Sequence, residues 1–503
     1  MSTVQPAGSD TDRFAASRDR FETLLVWLDG DEAATLSHAD LEARLQTRGR
    51  ELLRRLLQDH LDLRALREVR AHEVIDAAGV ARGAVEAGHR RTLATVFGDV
   101  TVERLAYRHR GHANLHPADG ALNLPAAKHS HGLRRLAAIE ASRGSFDHAV
   151  DAIARSTGQQ LGKRQVEALT AAAAVDFDAF YTSRQPPPGD LDDVLVISAD
   201  GKGIVMRPDA LRPATAKAAN QATTKLATRL SKGEKRNRKR LAEVSAVYDV
   251  TPVTRTPADV LAGDDAAETP TPRPAARNKW LTASVAADAA EVVGRGFDEA
   301  DRRDPDHTRS WIALVDGNNH QINRIHAEAD GRGVDVAIIV DFVHVLEYLW
   351  RAAWSFFDEG DAAAETWVHD KATAVLDGRA RQVAAGIRRR ATRHGLDPPR
   401  RIRADTAAAY LTNKAAYLDY PTALTSGWPI ATGVIEGACR HLIKDRMDLT
   451  GARWGLHGAE AILQLRALRA NGDFDDYWRY HLAQERRRTH EQRYAHGVIP
   501  QAA

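Results

Sequence analysis

From residue 193 to residue 350 the apolar residues of this chain change their spacing repeatedly, and the order of the changes limits the folds open to it. The run "DVLVISADGKGIVMR" (193 to 207) reads as an apolar strand ending at Asp200, a Gly-Lys-Gly turn and a second strand, and "EVSAVYDV" (243 to 250) supplies a third. A helix follows over 283 to 300, then "SWIALVDG" (310 to 317) as a fourth strand. Another helix spans 318 to 329, and "VDVAIIVDFVHVLEYLW" (334 to 350) gives a fifth strand that runs into a helix. Short apolar runs bounded by Gly and Asp read as buried strands, and apolar residues three and four apart read as helix faces.

Three strands, helix, strand, helix, strand, helix is the element order of a ribonuclease-H-like mixed sheet, and it sets the expected fold class as α/β. The core would begin at 190–350, be interrupted by a helical insertion at 351–430, and be completed by 431–482, with a charged tail at 483–503 expected to fray. Upstream, 1–186 reads as a mostly α-helical region, set off from the core by "RQPPPGD" at 184 to 190. The stretch from Thr251 to Asn278, rich in Thr, Pro, Ala and Asp, reads as an exposed loop.

In the N-terminal region, residues 15 to 90 look helical, with "LEARLQTRGRELLRRLLQDHLDL" strongly amphipathic, and "TVFGDVTVERLAYRH" (97 to 109) suits a short strand or hairpin. Residues 145 to 170 read as helix, Ser-Thr-Gly turn, helix. That spacing suits a DNA-reading helix-turn-helix with Lys163 and Arg164 at the exposed start of the second helix, and it suits an ordinary helical hairpin equally.

Three acids carry the chemistry. Asp200 and Asp316 each end a strand before glycine, and in the expected sheet these strands are neighbours about 4.8 Å apart, close enough for shared metal ions. The third is Glu436 in "GVIEGACRHLIKDRM" (433 to 447), where Arg440 and Lys444 follow at steps of four and Ile435, Cys439 and Leu442 form the opposite, apolar stripe. Two divalent ions roughly 3.5 to 4 Å apart can activate a nucleophile and stabilise a leaving oxygen in phosphoryl transfer. Asp200, Asp316 and Glu436 are therefore the expected catalytic and metal-binding residues, with Mg²⁺ the expected ion and Mn²⁺ suited to the same ligands. Asp341 is the rival to Asp316. Strand five, however, lies two positions from strand one, about 10 Å away, so Asp341 and His344 are expected to support the site rather than hold metal.

These blocks resemble a known family. "ISADGKG", "ALVDGNNHQ", "DFVHVLEYLW" and "GVIEGACRHLIKDRM…TGARWG", with "TVFGDVTVERLAY" and "SFDHAVDAIARSTG" upstream, look like those of DDE transposases of ISKra-type bacterial insertion sequences, related to Mutator-like elements. The resemblance implies Asp200, Asp316 and Glu436 as the DDE triad and maps Asp341 and His344 onto a "C/D-x-x-H" motif. It makes the helical insertion a family feature. It also implies DNA as partner, both transposon terminal inverted repeats and target DNA, with a homodimer or higher homo-oligomer holding two ends. Water would attack a phosphodiester at the element end, and the released 3′-hydroxyl would attack target DNA. The alternatives are a ribonuclease-H-like nuclease without strand transfer and an inactive, domesticated DNA-binding protein. Where relatives carry paired cysteines, this chain has "YRHRGHANLHP" with His109, His112 and His116, read as solvated histidines, and no zinc is expected.

Further DNA contacts are expected from "RLSKGEKRNRKR" (229 to 240), with Lys232, Lys235, Arg236, Arg238, Lys239 and Arg240; a charge run is usually a solvated surface, but its place between two strands of the sheet would let it grip DNA backbone. "RWG" offers Arg453 and Trp454, the latter for base stacking or for core packing. Net charge is only +2, and a single cysteine among 503 residues excludes a disulfide framework. With no membrane-length apolar run and a polar "MSTVQPAGSDTDRF" start, a cytoplasmic, nucleoid-associated protein is expected, with no membrane partner.

Overall fold

The computed structural model describes residues 12–186, 189–221, 238–262, 273–449 and 451–501. The chain forms two compact units, Met1–Tyr181 with Phe474–Ala503, and Thr182–Asp473. Among the described residues no helix is long and apolar enough to cross a membrane.

The first unit opens with helices α1 (Ala15–Asp29) and α2 (His38–Leu66). Ser37 caps α2 through its side chain, and the helix ends at Leu66, short of the expected residue 90. Strands β1 (Ala84–Thr95) and β2 (Gly98–Arg108) then form an antiparallel hairpin, its ladder bulged between Glu86 and His89. The long helix reading failed there because cross-strand pairing overrides local propensity, and Gly79 and Gly88 take positive φ. Helices α3 (His131–Arg143), α4 (Phe146–Thr157) and α5 (Lys163–Ala173) pack on one another, with Ser130 and Ser145 as N-caps. Gly158, at φ +74, ends α4 in the left-handed conformation.

The C-terminal residues, expected to fray, belong to this unit. The helix Phe474–Thr489 continues past Leu482, and Tyr494 is buried and bridges to Asp76. Asp176 explains part of the anchoring, because it accepts from the buried His481 and from both terminal nitrogens of Arg488.

The second unit is built on a five-stranded mixed sheet of order β5-β4-β3-β6-β7, with β3 Val194–Val205, β4 Lys239–Val250, β5 Ala276–Ser284, β6 Trp311–Val315 and β7 Val336–Val340. The β3–β4 and β4–β5 pairs are antiparallel, and β3–β6 and β6–β7 are parallel. Two expectations change. No turn exists at Gly201–Gly203, since β3 runs unbroken through both glycines, and the sheet's third antiparallel strand is 276–284, inside and beyond the expected loop. The glycines serve cross-strand packing: a Cβ on Gly201 would lie 2.7 Å from Glu243 Oε2, and one on Gly203 would lie 3.0 Å from Lys239 Cδ.

Helices α6 (Ala289–Arg303) and α7 (Asn319–Arg332) pack together, α6 against β3, β4 and β5 and α7 against β6 and β7. Gly296 of α6 approaches Ile197 and Ser245 so closely that a Cβ would meet both, which fixes that face of β3 and β4 toward α6. Helix α8 (Phe342–Ala353) follows β7 and leads into the insertion helices α9 (Ala362–Leu376), α10 (Ala380–Arg393) and α11 (Pro398–Asn413). Helix α12 (433–447) then packs on β3 and β4, and α13 (Leu456–Ala470) packs on β5.

Candidate metal centre

Strand register brings three aspartates into line. β3 pairs with β6 as Leu195↔Trp311 through Ser198↔Leu314, and β6 pairs with β7 as Trp311↔Val336 through Val315↔Val340. Continued past the paired residues, the same register sets Asp200 opposite Asp316, and Asp316 opposite Asp341. Partners in register share a face of the sheet, and side chains alternate along each strand. Asp200 therefore lies on the face away from α6, because its alternate neighbour Ile197 packs on Gly296.

Helix α12 covers that face. A π-helical segment, Cys439–Lys444, sits between α-helical Gly433–Ala438 and Asp445–Met447. Such widened turns inside α-helices are frequent at functional sites. Ile435, Cys439 and Leu442 are buried, as the apolar stripe predicted, while Glu436, Arg440 and Lys444 are exposed. The helix touches the row near both ends: Cys439 Sγ donates to Asp200 Oδ2 at 3.3 Å, and Thr432, just before the helix, donates through its hydroxyl to Asp341 Oδ2. The same hydroxyl lies 3.4 Å from Glu436 Oε1.

Among the described residues, one group of three or more ligand-bearing side chains converges, with donor atoms within 4.8 Å of one another: Asp341, His344 and Glu436. Asp200 and Asp316 are not in it, so the expected metal trio Asp200, Asp316 and Glu436 is not the set that meets. As expected, β6 neighbours β3 and Asp341 lies two strands from β3. Asp341 meets the helix that carries Glu436, whatever its distance from β3. Glu436 is one turn from Thr432, whose tie to Asp341 draws the glutamate to the β7 end of the row. Asp200 instead faces Cys439, one turn further along.

Two carboxylates and an imidazole can hold a divalent ion, and the set is chemically apt: nitrogen beside oxygen suits Mn²⁺ and later transition ions better than Mg²⁺, which prefers oxygen alone. Asp341 is fully buried, which by itself would raise its carboxyl; hydrogen bonds from His344, from Thr432 and from the Val343 amide outweigh burial and hold it below the usual range. His344 Nδ1 lies 3.4 Å from Asp341 Oδ2. That hydrogen bond, against partial burial and with the charges of Asp341, Asp316 and Glu347, raises the imidazole above its ordinary value.

Sequence reasoning missed three residues here. Thr432 carries a faint signal, a hydroxyl four residues before Glu436 at a helix start. Glu243, paired with Gly201 on the opposite face, has its carboxyl raised by burial and by the charge of Asp200. Tyr410 reaches in from α11 and donates to the Asp316 main-chain oxygen at 3.1 Å; no motif marks it.

The expected DNA contacts divide. Lys163 and Arg164 are exposed at the start of α5, though Lys163 pairs with Asp147 at 2.6 Å. Lys232, Lys235 and Arg236 lie outside the described residues, while Arg238 and Lys239 lead into β4. Arg240 is structural, because its guanidinium donates to the carbonyls of Val285, Ala210 and Ala286. Arg453 is exposed, but Trp454 is a core residue: it is 5% exposed, donates to Met447 O and lies under the Arg446 guanidinium at 4.7 Å. Its main chain bridges alongside Met206 at the end of β3, bonded to Val205 and Arg207. His109 and His112 meet edge to face, with ring centroids 5.3 Å apart and His112 also beside Asp76, whereas His116 turns away toward His89. No protein-family model matches the chain, and a comparison with curated proteins finds no significant match.

Proposed function

We propose that the chain is a DDE transposase with a ribonuclease-H-like catalytic core, cleaving DNA at the ends of its own element and joining the freed 3′ ends to target DNA. One observation carries the reading: strand register aligns Asp200, Asp316 and Asp341 on the face covered by the helix that bears Glu436. A row of acids under a conformationally widened helix, with Arg440 and Lys444 exposed on that helix, suits a phosphodiester substrate.

Divalent cations bound there would supply Lewis acidity to the attacking and leaving oxygens of an in-line displacement. The protein's own part is to hold acids and backbone. Asp341, His344 and Glu436 form the converging donor set, and Asp200 and Asp316 continue the row beside it. Arg440 and Lys444 would follow the DNA backbone, and α4–α5 would read the element end, with Arg164 on the phosphates or in the groove. Two ends must be held together, so a homodimer or higher oligomer belongs to the reading. The exposed apolar residues Phe21, Leu25 and Leu28 on α1 are consistent with it.

The test is cleavage and joining of labelled DNA carrying the element's ends, with Mg²⁺ or Mn²⁺, by wild type, Asp200→Ala, Asp316→Ala, Asp341→Ala and Glu436→Ala. Loss of both reactions in Asp200→Ala, Asp316→Ala and Glu436→Ala, with residual activity in Asp341→Ala, supports the triad. If Asp341→Ala and Glu436→Ala are inactive while Asp200→Ala and Asp316→Ala retain activity, the metal acids are Asp341 and Glu436. Cleavage without joining makes the protein a nuclease, and an inert wild type that still binds the ends makes it a DNA-binding protein.

A further inference from the structure

The helical insertion reaches the aspartate row at one corner. Lys414, immediately after α11, is 7% exposed, and its ammonium donates to Asn319 Oδ1 at the start of α7. One turn earlier, Tyr410 Oη donates to Asp316 O at 3.1 Å. Tyr410 is fixed in turn by stacking on Tyr348 of α8, with ring centroids 3.8 Å apart and planes 13° from parallel. Between these side chains sits Gly317 at φ +92, where a Cβ would lie 2.9 Å from Tyr410 Oη and 3.5 Å from Lys414 Cε. Asp316 Oδ1 accepts from the Asn318 amide at 2.7 Å, so the turn also orients this carboxylate.

We propose that Tyr410 and Lys414 are positioning residues for Asp316, through which the insertion clamps the 316–319 turn. An Asp-Gly pair at the end of a strand is free to take several conformations, because glycine populates both signs of φ. The tyrosine hydroxyl on the carbonyl of Asp316 and the lysine on Asn319 hold that turn from both sides, and the glycine lets the two side chains close on it. The insertion therefore builds part of the site instead of merely interrupting the core. This inference rests on the reading of Asp316 as a metal-binding acid.

The experiment uses the full chain, with Tyr410→Phe, which removes one oxygen and keeps the stack, and Lys414→Met, which keeps the buried stem. Each variant is expected to lower the maximal rate of Mg²⁺-dependent strand cleavage about tenfold with the half-saturating DNA concentration unchanged. Mn²⁺ binding, followed by the electron paramagnetic resonance of the free ion, separates positioning from general damage. Tyr410→Phe should weaken Mn²⁺ about fivefold in the wild-type background and not at all in an Asp316→Ala chain. Wild-type cleavage by both variants beside an inactive Asp316→Ala overturns the clamp and leaves the function standing. Equal loss of Mn²⁺ affinity in the two backgrounds also overturns it. If Asp316→Ala cleaves and binds Mn²⁺ like wild type, the role of Asp316 falls and the clamp with it.

Discussion

Thr432 and Asp341, 91 residues apart in the chain, share a buried hydrogen bond in which the threonine hydroxyl donates to Asp341 Oδ2. Both are almost wholly removed from solvent, at 2% and 0% exposure. A carboxylate buried so deeply needs every donor it has, and this donor also stands beside Glu436. The bond therefore joins the strand that carries one potential ligand to the helix that carries another.

Thr432→Val keeps the shape of the side chain and removes the donor. It should cost about 1–3 kcal/mol in chemical denaturation, the penalty for leaving a buried acceptor short of a partner. It should also weaken Mn²⁺ binding by roughly tenfold, as loss of a group that orients a ligand does. Thr432→Ser, which restores the hydroxyl, should return both toward wild type. A valine variant with unchanged Mn²⁺ affinity would show that Glu436 is oriented without the threonine.

The Asp341–His344 pair gives a pH signature whose sign follows from the two shifts. Asp341 is depressed in the folded protein, so its contribution is present above the unfolded value of about 3.9 and is lost as pH falls through the lower folded value. His344 is raised, so its contribution is complete below about 6.5 and is lost as pH rises through the higher folded value. The stability difference between wild type and His344→Gln should therefore be greatest between about pH 4 and 6.5 and shrink on the alkaline side. Metal affinity should run the other way, rising with pH as the imidazole loses its proton, because a ligating imidazole must be neutral. Urea unfolding and Mn²⁺ titration across pH 4 to 9 would test both slopes, and parallel slopes would rule out His344 as a ligand.

Gly317→Ala should be destabilising by at least about 1 kcal/mol, since φ +92 is a backbone setting that alanine resists. The added methyl also has no room beside Tyr410 Oη, so the loss of cleavage activity should exceed what the loss of stability explains. Differential scanning calorimetry with a cleavage assay below the transition would separate the two effects.

Much of the sheet was legible because buried strands announce themselves. "SWIALVDG" and "VDVAIIVDF" are continuous apolar runs, and β6 and β7 lie where those runs predict. What misled was glycine. Gly201 and Gly203 look like a turn, yet they are strand residues placed where Glu243 and Lys239 crowd across the ladder, a tertiary fact that no local pattern encodes. β5 hid behind a polar, proline-rich approach. At the site, each acid could be read singly from a strand end or a helix face, but convergence could not. It depends on Thr432 tying α12 to β7, and a hydroxyl four residues from a glutamate is too common a pattern to have stood out.

At the other end of the sheet, Arg309 Nη2 donates to Asp249 Oδ1 at 2.7 Å, and the two residues are 6% and 2% exposed. Arg309 also donates to Asp193 O, so it ties the start of β3 to the end of β4. Arg309→Met should cost about 3 kcal/mol, because it removes the nearer of two guanidiniums from a buried carboxylate. The double variant Arg309→Met with Asp249→Asn should recover part of that loss in denaturant unfolding. No recovery would mean that Asn278 and Arg303, the other partners of Asp249, already satisfy it.

The start of α5 discriminates between a DNA-reading helix pair and an ordinary hairpin. Lys163 is held by Asp147, whereas Arg164 is exposed with no ion pair among the described residues. If phosphates bind there, Arg164→Ala should weaken binding to the element ends and lower the slope of log affinity against log salt by about 1. Lys163→Ala should do less, since its charge is already partly neutralised. Asp147→Ala should strengthen binding, because it removes a repelling carboxylate and frees Lys163 together, while an exposed pair of this kind is worth only about 0–1 kcal/mol to the fold. Fluorescence anisotropy at several salt concentrations reads all three. An ordinary hairpin would leave the three variants on the wild-type line, and only a DNA-facing helix makes the aspartate variant the tightest binder of the set.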